Sequence, residues 1–431
     1  MKKIIFTFQQ SISIYLMILA LRLKSYNLCA LIVLLNIRKI KNIRVNYKSK
    51  NLKKVLVFPK SGGNEDLLES FKDNKNNNII FFCLPRRFLK GIHLYCFKNS
   101  QFKDYFTKIK SREEANKKKL YVKSLTKIFS SLNKFLKFDC FLSFNIFYYA
   151  EKYLDEVCIN LDKKFIILHK ESTFTPIEEK GATKIYEKFN DKSFANKISV
   201  YSKCQKNILV KSKIAKKKQI IVNGCPRSDY SFKLRKIKPQ NNLIVFYLIE
   251  KRRGQNLLLK KTQFNWDNLY NKTLKYLLEY AKNNPDIKLV LKGKTGIHNY
   301  LHNAKFLNKN CIFINGGTGE KFLKNAKVVI AFNSTIVFET IASNRNLIIP
   351  NFNNENFKKK ELIYKIKNKD YFVNSKLQFI KKINFYLNLK HQNRKLTNKE
   401  KDIIDYYIGN TDGKSGKRLA NFLRKTISKS K

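Results

Sequence analysis

From Lys54 onward the chain alternates short, continuous apolar runs with stretches in which apolar residues recur every three or four positions. Val55–Phe58, Ile79–Cys83, Cys140–Leu142, Phe165–Leu168, Ile198–Tyr201 and Ile220–Val222 are runs of the first kind. They are short and nearly all apolar, with Ser199 the exception, the pattern of strands buried on both faces. Residues 108–135 are helix-like, and the spacing Ile146, Phe147, Ala150, Leu154, Val157 predicts another helix. Strands alternating with helices imply a parallel sheet covered on both sides. The polar stretch Arg227–Asn242, with Pro239, ends this series. A second series then runs through a strand at Leu243–Leu248, a helix at Trp266–Lys282, and strands at Ile287–Leu291, Ile312–Ile314 and Val328–Phe332. After the polar turn Asn333-Ser334-Thr335 comes a helix, then a last apolar run at Leu347–Ile349. The class is α/β, with Rossmann-like domains at 51–230 and 243–390 joined by a connector at 231–242. A segment at 1–50 precedes them, and a helical, basic tail follows at 391–431.

The first 50 residues have a different texture. Two apolar runs, Ser11–Leu23 and Tyr26–Ile37, are separated by Arg22, Lys24 and Ser25 and followed by the basic stretch Arg38–Lys50. Neither reaches the roughly 20 residues needed to span a bilayer, and neither ends in the small-residue site of a removed signal peptide. Two readings stand: an anchor on an anionic membrane surface, or helices packed on the first domain.

Composition changes the picture little. With 43% apolar and 13% aromatic residues the chain has material for real cores. The net charge of +58 would suit a nucleic-acid binder, but the lysines are spread along the chain and accompanied by abundant Asn, Ile and Phe. Nucleic acid is therefore not expected as a partner. The eight cysteines form no CxxC pair and suggest buried thiols in a reducing compartment. His298 and His302 are spaced HxxxH without the glutamate of a zincin. No metal and no cofactor are expected.

The chemistry gathers at strand ends, where open αβ sheets bind their ligands. Two facing domains would bring those ends to one cleft. Lys60–Asn64 carries Gly62 and Gly63, and Arg86-Arg87 follows the second strand. His169-Lys170-Glu171 offers an imidazole and a carboxylate as general bases. His169 and Glu171 lie two apart and project to the same side of an extended chain. In Val222–Asp229, Gly224 permits a tight bend, Pro226 stiffens it, and Arg227 has the reach to meet a phosphate or to pair with Asp229. Lys292-Gly293-Lys294 supplies two ammonium groups without the full P-loop pattern. Gly316-Gly317-Thr318-Gly319 is a weaker phosphate cradle. Asn333-Ser334-Thr335 places hydroxyls and free N–H groups at a helix N-terminus, a seat for phosphate, with Glu339 one turn further in to accept from sugar hydroxyls.

Five stretches together resemble the GT-B glycosyltransferase-like proteins of bacterial surface-carbohydrate (capsule and lipopolysaccharide) biosynthesis. They are FNIFYYAEKYLDEV (144–157), FIILHKES (165–172), VNGCPRSDY (222–230), VVIAFNSTIVFETIA (328–342) and YYIGNTDGKSGKR (406–418). The resemblance implies two Rossmann-like domains facing a cleft, with an acceptor over the first and a nucleotide-sugar donor held by the second at Ser334, Thr335 and Glu339. It implies an enzyme at the inner face of the cytoplasmic membrane using a glycan or lipid-linked acceptor. Where those families often show a His-Pro pair, this chain has Lys292-Gly293-Lys294. On this reading Glu171 or His169 deprotonates the acceptor, while Lys292, Lys294 and the Ser334 helix terminus stabilise the leaving diphosphate. A CDP-alcohol phosphotransferase, a sugar-nucleotide epimerase and a noncatalytic glycan- or lipid-binding protein remain as alternatives.

Overall fold

The computed structural model describes residues 2–60, 62–74, 76–97, 111–146, 150–170, 173–187, 195–248, 266–293, 309–317, 319–332, 334–352, 364–366 and 369–428. Within them two sheets form. The first contains β1 (Arg38–Lys39), β2 (Lys53–Val57), β3 (Ile79–Cys83), β4 (Cys140–Ser143), β5 (Lys164–His169), β6 (Lys197–Val200) and β7 (Ile220–Val222). Their order is β1-β3-β2-β4-β5-β6-β7, parallel except for β1. The second contains β8 (Leu243–Tyr247), β9 (Lys288–Gly293), β10 (Cys311–Asn315), β11 (Val328–Ile330), β12 (Asn346–Pro350) and β13 (Phe372–Val373). It is parallel throughout, in the order β10-β9-β8-β11-β12-β13. The chain reverses its direction of growth between β2 and β4 in one sheet and between β8 and β11 in the other. These switch points are where a doubly wound sheet opens a crevice for a ligand.

The continuous apolar runs became central strands because both faces are covered. One face of the first sheet packs through Phe58, Phe141 and Ile167 against a layer that includes Ile128 and Phe129 of the helix Arg112–Leu136. The other, through Val55, Leu142 and Ile166, meets the helix Gly63–Phe71 and the C-terminal helix Ser415–Ser428. The chain therefore leaves the second domain and returns to complete the first. Leu419, Leu423 and Ile427 enter that core, and Lys164 donates to the terminal carbonyls of Thr426 and Ile427 at 2.9 and 3.1 Å. A cation there complements the helix dipole.

The N-terminal segment folds as the helices Lys2–Arg22 and Tyr26–Asn36, reversing at Lys24 with φ 54°. Met17, Leu21, Cys29 and Val33 join the core of the first domain, so the packed arrangement is present. No helix among the described residues is long and apolar enough to cross a membrane. Two local expectations changed. The basic stretch after Ile37 supplies β1, an antiparallel edge whose exposed Arg38 and Lys39 discourage further pairing. The helix expected from Ile146 begins only at Leu154. Glu151, just before it, is turned inward to Arg86 and Ser143. All eight cysteines are free, with Cys83 half-buried and the others buried.

Candidate functional site

The first domain brings three strand ends together. After β2 the chain turns at Gly62 (φ 85°) into the helix Gly63–Phe71. A Cβ at Gly62 would lie 2.2 Å from Nη1 of Arg227, and one at Gly63 would lie 2.2 Å from the Phe144 ring. Only glycines let this loop approach the end of β4 and the guanidinium so closely. Arg227 follows β7, its amide donating to Oδ1 of Asp66 at 3.1 Å and its guanidinium lying 5.6 Å from the centre of the Tyr201 ring. Tyr201, just beyond β6, donates its hydroxyl to the other oxygen of Asp66. Burial raises the Asp66 carboxyl to about 6, against the opposing pull of Arg227 and the Tyr201 hydrogen bond.

The second domain contributes the opposite wall. Ser334 stands at the N-cap of the helix Thr335–Ala342 in extended geometry, yet its hydroxyl caps no backbone N–H. One turn along, the Glu339 carboxyl makes no hydrogen bond among the described residues and feels the charge of Arg227 across the domain boundary. Burial pushes Glu339 up to about 7, with Arg227 opposing and Glu320 reinforcing the shift. Tyr247, the last residue of β8, donates to the carbonyl of Gly319 at 2.7 Å and lies in the field of Glu339. The β8/β11 switch point thus presents an uncommitted hydroxyl, an open helix terminus and a carboxyl that titrates near neutrality. Arg227 faces it from the other domain. Such a set can hold a diphosphate on N–H groups and guanidinium while Glu339 accepts from a sugar hydroxyl.

The other expected residues are distributed differently. Lys292 is buried, its ammonium donating to the carbonyls of Gly293 at 2.8 Å and Gly316 at 2.5 Å. It ties β9 to the loop after β10, and burial lowers its pKa. Gly224 and Asp229 form a separate hub. The Asp229 carboxylate accepts from the amides of Ser415 and Gly416 at 3.0 and 2.8 Å and from Asn410 Nδ2 at 2.7 Å. It fills the N-terminus of the returning helix, where an anion would otherwise sit. A Cβ at Gly224 would lie 2.5 Å from the carbonyl of Gly409, so two segments of the chain cross at that glycine. Asp229 pairs with this returning segment and the Arg227 amide with Asp66, so of the two alternatives for Arg227 the Asp229 pair is not formed. His169 ends β5 with its side chain buried, registered beside Val200. Glu171, Lys294, Thr318, Asn333 and the His298/His302 pair lie outside the described residues.

One cluster escaped the sequence reading. At the β2/β4 crevice the buried carboxylate of Glu151 pairs with Arg86 Nε and accepts from Ser143 Oγ. Burial raises its pKa, with Arg86, Ser143 and Lys60 opposing. Arg86 was singled out in the sequence, but its partner was not. The legible signal was a charged residue amid the otherwise core-forming spacing of Ala150, Leu154 and Val157.

No protein-family model matches this sequence, and no curated protein sequence matches it. Solved structures share its architecture. A protein of Listeria monocytogenes assigned as a UDP-N-acetylglucosamine 2-epimerase superposes with a TM-score of 0.50 at 9% identity, over 88% of this chain and 98% of its own. UDP-GlcNAc 2-epimerase of Methanocaldococcus jannaschii gives 0.49 at 14% identity, over 87% of this chain and 100% of its own. The wall teichoic acid polymerase TagF gives 0.48 at 12% identity, over 99% and 98% respectively. At such identities the likeness is one of fold. This chain has the GT-B-like architecture of two parallel-sheet Rossmann-like domains facing a cleft.

Proposed function

We propose that the protein is a GT-B-type transferase that takes a sugar from a nucleotide-sugar donor and builds a bacterial surface glycan on a glycan or lipid-linked acceptor. The observation that carries this is the β8/β11 switch point, where Glu339 lies one turn beyond Ser334 and feels the charge of Arg227, and where, among the described residues, neither the serine hydroxyl nor the glutamate carboxyl is committed to a structural hydrogen bond. The donor lies over the second domain, with its diphosphate at the Ser334-Thr335 turn beside Arg227 and a sugar or ribose hydroxyl on Glu339. Arg227 takes the charge-stabilising role first assigned to Lys292, whose ammonium already bonds to two carbonyls. Displacement at the anomeric carbon then needs a base on the acceptor side. Glu171 is our candidate, with His169 behind it, because a carboxylate is ionised at pH 7 without tuning. The enzyme works at the inner face of the cytoplasmic membrane.

A thermal-shift screen of uridine, cytidine, guanosine and adenosine diphosphate sugars, with CDP-glycerol, tests the reading. A ligand bound only by the folded state raises its melting temperature. Glu339→Gln is expected to weaken the stabilising nucleotide by about 1–3 kcal/mol, the loss of a charge-assisted hydrogen bond. If no nucleotide stabilises the protein, or Glu339→Gln leaves affinity intact, this site is not the donor site. Stabilisation by CDP-glycerol alone would turn the assignment to phosphoryl transfer.

A further inference from the structure

The helices Lys2–Arg22 and Tyr26–Asn36 carry more apolar surface than the protein buries. One side of the first helix enters the core through Met17, Ala20 and Leu21. The other presents Phe8, Ile12, Tyr15, Leu16, Leu19 and Leu23 to solvent, Tyr15 and Leu23 at 70% and 71% exposure. Those positions follow each other by three, four or one, so they form one continuous stripe along the helix. The second helix adds Leu28, Leu31 and Leu35 at the same periodicity. A soluble amphipathic helix would be polar here. An unbroken apolar stripe on two adjacent helices is far more than scattered surface leucines require.

The rim of this face is cationic. Arg22 and Lys24 sit exposed at the reversal, and Arg38, Lys39 and Lys41 follow the second helix. The neighbouring helix Arg112–Leu136 adds Lys127, over the Tyr26 ring at 4.8 Å. Lys24 and Lys127 border a hollow of about 320 Å³ lined also by Ser25, Asn27, Ser130 and Ser131. No Asp or Glu occurs in the chain before Glu65.

We infer that this helical pair is an in-plane docking surface for an anionic phospholipid bilayer. The apolar stripe enters the headgroup–acyl boundary, and the rim cations meet lipid phosphates. Charge selects this occupant over a second copy of the chain. Two copies joined stripe to stripe would set like-charged rims against each other, with no carboxylate in either pair to offset them. The inference is independent of the donor chemistry, since none of these residues lies in the cleft.

The test is cosedimentation of the full chain with vesicles of phosphatidylcholine alone or mixed with phosphatidylglycerol. Binding to the anionic vesicles is expected to exceed that to the neutral ones and to fall as salt screens the rim. Leu16→Glu with Leu23→Glu should weaken binding at least tenfold while leaving a cooperative melt, because both side chains are exposed. Lys24→Glu with Lys127→Glu should lower only the anionic preference, and it carries the test should the leucine variant fold poorly. Failure of the folded protein to bind anionic vesicles overturns the proposal, as does binding indifferent to both variants. A dimer abolished by the leucine variant, without vesicle binding, would assign the face to a second copy.

Discussion

Arg227 and Asp229 stand two residues apart in one loop, yet they belong to opposite kinds of polar environment. Asp229 is saturated: two amides and an asparagine meet its carboxylate, and all three donors come from the segment that returns from the second domain. Arg227 is in a cluster that stays open. Its Asp66 partner is met by Tyr201, but across the cleft the Glu339 carboxyl answers its charge without a hydrogen bond among the described residues. A polar group whose bonds are all satisfied holds a fold together and has little left for a ligand. A half-buried carboxyl with no side-chain hydrogen bond among the described residues is a mark of a site. By that contrast Asp229 is tied into the architecture, while Arg227, two residues before it, bears on the open side of the cluster.

The largest expected effect lies on the saturated side. Asp229→Ala orphans the buried amides of Ser415 and Gly416 and takes one acceptor from Asn410, losses of about 1–3 kcal/mol each that should together cost about 3 kcal/mol or more of unfolding free energy. Denaturant unfolding measures it, and a loss below about 1 kcal/mol would break the contrast by showing the hub to be dispensable.

Next comes the pH dependence of the open side. Glu339 has a folded pKa of about 7, above its ordinary value of 4.5, so the fold favours its protonated form. The associated stability is fully present below the ordinary value and is lost as pH rises through 7, an effect on the order of 2 kcal/mol between pH 5 and 8. Asp66, raised to about 6, works in the same direction. Glu339→Gln should flatten the curve and leave the variant more stable than the parent at pH 8. Parallel curves for the two proteins would place Glu339 in the saturated class.

The smallest effect sharpens the comparison from the loop that touches Arg227. Gly62→Ala adds a methyl group into the guanidinium at a positive φ, a strain of about 1 kcal/mol. The flexible arginine can move aside, so we expect modest destabilisation with a clear loss of nucleotide affinity. Equal loss of stability and no loss of affinity would mean that Arg227 does not face the ligand.

Local pattern determined much of this protein. Largely apolar runs marked the central strands, because burial on both faces leaves few polar positions to blur the signal. The polar turn before the Glu339 helix was legible because strand, hydroxyl-bearing turn and helix are consecutive. The same rule located Gly62, Arg86 and Arg227 at strand ends, but it could not assign partners. Asp229 meets Gly416 across 187 positions and Tyr201 meets Asp66 across 135, distances at which no periodicity couples two residues. Lys292 was read as one of two ammonium groups for a diphosphate. The structure instead ties its ammonium to the carbonyl of neighbouring Gly293 and to that of Gly316 in the loop after β10. The N-terminal helices read as apolar in either setting, and only packing showed which stripe is buried and which is bare. Hydrophobicity and turn chemistry act between near neighbours, so the sequence by itself determined the elements and their order. Hydrogen-bond saturation depends on which ends the topology brings together, and that alone decided which polar residues are scaffold and which remain open for chemistry.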